Sequence, residues 1–271
     1  MANLIGIHLY SFSLNRPDDK DNFGDLIGKY LLDKLTKRSI IEVKHPSMRR
    51  YKIFIKHYLT VGSILEVANK NSIIWGSGII RQNDYIEKAK FLLVRGPYTR
   101  NRLLQLKYDV PERFGDPALI LSDFYPKKNN PKYKIGIAPH YIDYNLVINS
   151  VADTDLNVID LLTVNVETVI DSLVDCSIIF SSSLHGIIVA HSYGIPAIWI
   201  RLSNNLGGDN IKFYDYFESV GIFNYPTIRV SNKNLKFDYL LKIFQNNSDI
   251  SLPIQDMITL RKSDIYETCP F

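Results

Sequence analysis

The sequence predicts an α/β protein made of two parallel-sheet halves, and three observations carry that expectation. Short apolar runs alternate with longer stretches of helical periodicity along all 271 residues, the rhythm of strand, crossover helix and strand. Apolar residues make up 46% of the chain, which at this length supplies core for about two domains. Between the halves lies Pro126-Lys127-Lys128-Asn129-Asn130-Pro131-Lys132, polar and carrying two prolines, which continues neither a helix nor a central strand. It is read as a linker joining residues 1–126 to residues 133–271.

In chain order, the apolar run Leu4–Leu9 predicts the first strand, and the periodic segment Asp25–Leu35 the helix after it. Tyr58–Val61, Ser72–Trp75 and Phe91–Val94 are short apolar runs of strand length, and Pro97–Leu106 has helical spacing. After the linker come strands at Lys134–Ala138, Leu156–Leu162, Cys176–Ser181 and Ala197–Ile200. Helices are expected at Asn165–Leu173, Leu184–Tyr193, Ile211–Val220 and Leu235–Gln245, with Gly194 and Pro196 closing the second of them as C-terminal signals.

Composition excludes several classes. Basic residues number 32 and acidic ones 28, a net charge of +4, too even for a nucleic-acid coat, so a basic partner site must be local. Two cysteines, Cys176 and Cys269, make neither a disulfide framework nor a thiolate metal site, and a reducing cytoplasm is expected. The N-terminal apolar run is too short for a signal segment, and the longest apolar stretch, Ile187–Ile200, is broken by His191, Ser192 and Pro196. No exported or membrane-spanning segment is expected.

In open α/β sheets ligands bind beyond the carboxyl ends of the strands, where loops enter helix N-termini that favour anions. The loops there read Asn22-Phe23-Gly24-Asp25, Gly76-Ser77-Gly78, Arg95-Gly96-Pro97, Pro139-His140 and Ser181-Ser182-Ser183-Leu184-His185-Gly186. The serine segment is the most informative. Ser182 or Ser183 is placed to cap the following helix, and hydroxyls with free N–H groups together suit a phosphate or carboxylate. His185, in the first turn, then suits a general acid acting on an anionic substrate. Arg95 ends an all-apolar strand, where its charge needs either an anionic ligand or a structural ion pair. Gly115-Asp116-Pro117 is read as fixing a loop at the domain edge, and His191, six residues after His185, as a packed core histidine. Gly-x-Ser-x-Gly is absent and Ser183 stands only two residues from His185, so serine hydrolysis is set aside.

With those stretches, Val61-Gly62-Ser63-Ile64-Leu65, Arg95-Gly96-Pro97-Tyr98-Thr99, Gly115-Asp116-Pro117-Ala118-Leu119, Gly194-Ile195-Pro196-Ala197 and Pro270-Phe271, the sequence resembles the polysaccharide pyruvyl transferase family. Their order and spacing along nearly the whole chain carry the resemblance. It implies two Rossmann-like domains in a GT-B-like arrangement, with the acceptor on the 1–126 side and the donor on the 133–271 side. It also implies transfer of the enolpyruvyl group of phosphoenolpyruvate to a sugar of a cell-surface polysaccharide precursor, making a pyruvate ketal and releasing phosphate. His185 and Arg95 match the family's pocket residues, as proton donor or carboxylate holder and as phosphate partner, with Asp25 as base toward the acceptor hydroxyl. Asn22, Gly24, Ser77, Gly78, His140, Ser181, Ser182 and Ser183 are the expected substrate-binding set. Many members carry Arg where this chain has Ser183, and Lys212, in Lys212-Phe213-Tyr214-Asp215-Tyr216-Phe217, is the candidate substitute; its alternative is a solvated helix lysine. No metal and no cofactor beyond phosphoenolpyruvate as donor is expected.

Acceptors in this family are commonly lipid-linked sugars at the inner membrane face. The segment Lys44 to His57 is dense in positive charge; as a helix, Met48, Tyr51, Ile55 and Tyr58 share a stripe with Arg49, Lys52 and Lys56 off it. It suits either peripheral contact with anionic lipid or a solvated helix with a core-facing stripe. Two other functional classes compete. A GT-B glycosyltransferase using a nucleotide sugar would need acids around its C-terminal helix to read ribose, and Ser181–Ile200 holds no Asp or Glu. A non-catalytic carbohydrate-binding protein would use some of the 17 tyrosines as stacking surfaces, although most tyrosines simply pack with the hydroxyl exposed.

Overall fold

The computed structural model describes residues 6–45, 55–128, 130–152 and 155–271. The first half contributes β1 (Ile7–Tyr10), β2 (Asp21–Asn22), α1 (Phe23–Leu35), β3 (Ile40–Glu42), β4 (His57–Leu59), β5 (Ser72–Trp75), β6 (Lys90–Leu93), α2 (Pro97–Gln105) and α3 (Leu121–Phe124). The second contributes β7 (Tyr133–Ala138), α4 (Tyr144–Ile148), β8 (Leu156–Val158), β9 (Leu162–Thr163), α5 (Val166–Val174), β10 (Cys176–Ser181), α6 (Leu184–Ser192), β11 (Ala197–Trp199), α7 (Ile211–Ser219), α8 (Phe237–Asn246) and α9 (Gln255–Glu267).

Two sheets result, ordered β3-β1-β4-β5-β6 and β11-β10-β7-β8. Every strand pair within them is parallel, as crossover helices between successive strands demand. The class is therefore α/β with parallel sheets, as the alternating pattern predicted.

Burial explains why the two sheets sit as they do. One face of the first sheet packs Tyr10, Leu59, Ile74 and Phe91 under α2, and one face of the second packs Ile135, Ile178 and Phe180 under α8. The remaining faces share a single cluster that runs from Ile7, Trp75 and Leu93 to Ala138, Ile179 and Trp199. Helix α1 of the first half and α6 of the second both lie in it, with the 3-10 turn Pro117–Ile120 packed against α6. A third, antiparallel rung joins the halves directly, Asp21 opposite Thr163 and Asn22 opposite Leu162.

Helix α9 also crosses back from the end of the chain. The Trp75 indole N–H donates to the Ile265 carbonyl at 3.1 Å, and the Phe271 ring lies 4.8 Å from Tyr58 and 5.4 Å from Trp75. This helix had no clear sequence signal, because among its buried residues are Arg261 and Asp264, which read as surface positions. The expected strand Leu156–Leu162 stops at Val158 because the Asp160 carboxylate accepts the Leu162 N–H at 2.8 Å, a local turn that competes with the ladder. In the basic segment Lys44 to His57, residues 46–54 lie outside those described. Its last residue is not helical: His57 opens β4, buried, with Nε2 at 2.8 Å from the Ser72 hydroxyl.

Candidate active site

A cavity of about 360 Å³ opens at the carboxyl ends of both sheets. The first half gives it Phe12, Asn22, Asp25, Ser63, Ile64 and Glu66; the second gives His140, Tyr141, Ser183, His185 and Lys212. Three helices begin at its wall: α1 behind Asn22, α6 behind Ser183 and α7, whose first turn holds Lys212. Each brings the positive end of its dipole, which favours an anion, while the first N–H of α1 is taken by the Leu161 carbonyl and that of α7 by the Asp209 carboxylate.

The charged groups of the wall modify one another. Burial pushes the Asp25 carboxyl up to about 6, opposed by the Asn22 amide, which donates to Asp25 Oδ2 at 2.9 Å, and by the nearby His185 and Lys212. Burial, then the Arg95 charge, lowers Lys212 to about 8, while Asp25 acts the other way. Burial, then Lys212 and His185, lowers His140 to about 4, so His140 is neutral at pH 7. A base that is half-titrated near pH 6 and an amine that still holds its proton at neutral pH thus face the same space.

His185 has little room. A Cβ on Gly24 would run into Nδ1 of its ring, so glycine at the second position of α1 is what lets the imidazole lie against the helix. Ser182 fixes the opposite wall. Its hydroxyl accepts the His140 N–H at 2.9 Å and donates to Asp143 Oδ2 at 3.1 Å, while Asp143 Oδ1 accepts from Ser203 at 2.6 Å. Ser183 is the N-cap residue of α6 without a side-chain cap bond, and its side chain borders the cavity.

Of the sequence-predicted residues, Asn22, Asp25, His140, Ser183, His185 and Lys212 are brought together around this space. Lys212 is half-buried in the wall, not a solvated helix lysine. The others do not line it. Arg95 is wholly buried behind Ser63: its Nε donates to Asp215 Oδ2 at 3.0 Å, one terminal nitrogen to the Ser63 hydroxyl at 2.7 Å and the other to the Ile79 carbonyl at 2.7 Å. The expectation of direct phosphate contact is corrected, since every guanidinium nitrogen already has a protein acceptor. Gly78 is small so that the Arg95 guanidinium can lie on it, and Ser77 spends its hydroxyl on the Thr60 carbonyl at 2.7 Å. Ser181 likewise donates to Ala138 and Ser183 carbonyls inside the fold. Ser182 acts through the His140 loop, and Gly24 by making way for His185. His191 is a core residue, bridging the Tyr216 hydroxyl at 2.9 Å and the Ser251 carbonyl at 3.1 Å.

Residues the sequence did not single out are Ser63, Tyr141 and Asp215. Ser63 lies inside a stretch that carries the resemblance and Asp215 three residues after Lys212, but nothing in a one-dimensional pattern says that residues 95 and 215 pair.

A crystal structure of an uncharacterized protein from Klebsiella pneumoniae subsp. pneumoniae NTUH-K2044 aligns with a TM-score of 0.46 at 15% identity, over 83% of this chain and 92% of that one. An uncharacterized protein of Acanthamoeba polyphaga mimivirus is 37% identical over 209 residues, 74% of this chain and 71% of its own. Residues 16–204 match the polysaccharide pyruvyl transferase family, a span that includes every cavity residue named above except Phe12 and Lys212. The chain belongs to the polysaccharide pyruvyl transferase family, whose members act in pyruvylation of polysaccharides.

Proposed function

We propose that the protein moves the enolpyruvyl unit of phosphoenolpyruvate onto two hydroxyls of one sugar in a cell-surface polysaccharide precursor, as a cyclic ketal, with release of phosphate. The observation that carries this reading is the meeting of a protonated amine, an imidazole, a carboxyl with raised proton affinity and three helix N-termini in one cavity. A three-carbon phosphorylated acid needs cationic and N–H partners, not a flat apolar slot. Lys212 and Ser183 hold the donor's anionic groups, Lys212 standing in for the arginine that many members carry at position 183. Arg95 adds its charge from behind Ser63.

In the reaction, one sugar hydroxyl oxygen bonds C2 of the enol as Asp25 takes its proton, and His185 protonates C3, which becomes the methyl group. The second hydroxyl then displaces phosphate from C2 and its proton leaves with the phosphate. In this reading the lobes have a GT-B-like arrangement, residues 1–126 taking the acceptor and 133–271 the donor, with the two substrates on opposite walls. We assign no metal and no cofactor to the reaction, a lipid-linked oligosaccharide as acceptor, and a cytoplasmic location at the inner face of the membrane, reached through Lys44 to His57. No helix of the described residues is long and apolar enough to cross a membrane.

The test is incubation with phosphoenolpyruvate and a panel of lipid-linked and aryl glycosides, with products read by mass. A product heavier by one pyruvyl ketal, lost in His185→Ala, is expected; near-normal phosphate release by that variant would remove His185 from the chemistry. Saturation-transfer NMR with UDP, CMP and phosphoenolpyruvate separates this reading from a nucleotide-sugar glycosyltransferase, which binding of a nucleotide alone would favour.

A further inference from the structure

Gly115-Asp116-Pro117 contributes nothing to the cavity wall, yet Asp116 is the closest carboxylate to His185. Its Oδ2 lies 3.6 Å from His185 Nε2. Both atoms are buried and neither has another hydrogen-bond partner. A buried acceptor and a buried ring nitrogen left facing each other are each costly unless one gives the other a proton. Asp116 is not there by slack. Its Oδ1 accepts the Ala118 N–H at 3.0 Å, capping the 3-10 turn that packs on α6, and Gly115 N–H is held by the Val94 carbonyl at 3.0 Å. The ring's other nitrogen, Nδ1, packs against Gly24, which in sequence stands between the cavity residues Asn22 and Asp25.

We propose that Asp116 is a positioning residue for His185: its carboxylate accepts Nε2–H, fixing the ring so that Nδ1 is the nitrogen turned toward the reacting atoms. Asp116 belongs to the first half and His185 to the second, so the pair also sets the ring's angle across their junction. An acceptor behind the imidazole selects one tautomer of the neutral ring and stabilises the cation that carries the second proton on Nδ1. Catalytic hydrogen bonds are often long in a free enzyme and tighten in the substrate complex. The kinetic part rests on the pyruvyl transfer proposed above; the spectroscopic part does not.

The experiment uses the full chain, labelled with ¹⁵N-histidine, with His185 assigned by the signal missing in His185→Gln. In the wild type the neutral ring is expected to carry its proton on Nε2. Asp116→Asn keeps an oxygen for the Ala118 N–H and replaces Oδ2 by an amide donor, which should switch the ring to the Nδ1–H form. For turnover of phosphoenolpyruvate, kcat should fall by about 10⁴-fold, as it does when a carboxylate behind a catalytic imidazole becomes an amide, with KM changed less than about threefold. A wild-type ring protonated on Nδ1 overturns the proposal without any variant. So does an Asn variant with the wild-type tautomer and unchanged kcat. If no donor turns over in the wild type, the tautomer measurement still decides the role of Asp116, and only the reading of the reaction fails.

Discussion

Removing the Asp215 carboxylate should expose how much of the fold depends on one ion pair across the two halves. Asp215 is fully buried and accepts from Arg95 Nε at 3.0 Å, Thr99 N at 2.8 Å and Thr99 Oγ1 at 2.6 Å. Asp215→Ala leaves a guanidinium with no anion in a dry site, plus an N–H and a hydroxyl without acceptors. Breaking a buried pair from one side costs about 3–5 kcal/mol. For 271 residues at about 2.1 cal/mol/K each, the unfolding entropy is about 0.6 kcal/mol/K, so Tm should drop by roughly 5–9 °C in a calorimetric scan. Adding Arg95→Met removes the stranded charge, and the double variant should regain most of the loss, since apolar replacement of a buried pair is often neutral. The double variant also lacks the charge that lowers Lys212, so the alkaline limb of its pH profile should move upward. A single variant melting within a degree of wild type, or a double variant as unstable as the sum of its parts, would refute the account of Arg95 as a residue held by Asp215.

Further outcomes follow from the cavity. Gly24→Ala puts a methyl where His185 Nδ1 lies and should abolish turnover while the circular dichroism spectrum keeps its helical content. The profile of kcat/KM against pH should rise near pH 6, as Asp25 gives up its proton to become a base, and fall near pH 8, as Lys212 loses its charge. Lys212→Arg should carry the falling limb to higher pH. Stability should show the cost of Asp25: its folded-state affinity of about 6 lies above the ordinary 3.8, so the folded state holds the proton more tightly and loses stability as pH rises from about 4 through 6. Asp25→Asn should therefore melt higher than wild type at pH 8 and equally at pH 3. Sedimentation with anionic vesicles should show salt-sensitive binding that is lost when Arg49, Arg50 and Lys52 become glutamate.

The parallel sheets were legible because each strand is a compact apolar run and each crossover helix a periodic one. Residues from the strand ends were legible for the same reason: Asn22, Asp25, His140, Ser183 and His185 follow strands in sequence and so meet in space. What one dimension conceals is where a charge finds its partner. In sequence Arg95 suits either a ligand or an ion pair, and its partner lies 120 residues away. Ser77 and Ser181 looked available, but a hydroxyl at a tight turn is readily taken by a neighbouring carbonyl. Helix α9 escaped because it buries an arginine and an aspartate together with Ile258 and Ile265, which blurs the apolar stripe.

The rung between β2 and β9 includes Asn22 itself, and a common core continues beneath it. A molecule bolted this way does not work like an open clam. Substrates then come and go past wall side chains such as Phe12 and Tyr141 with the two halves held in place, so small-angle scattering should give the same radius of gyration with and without phosphoenolpyruvate.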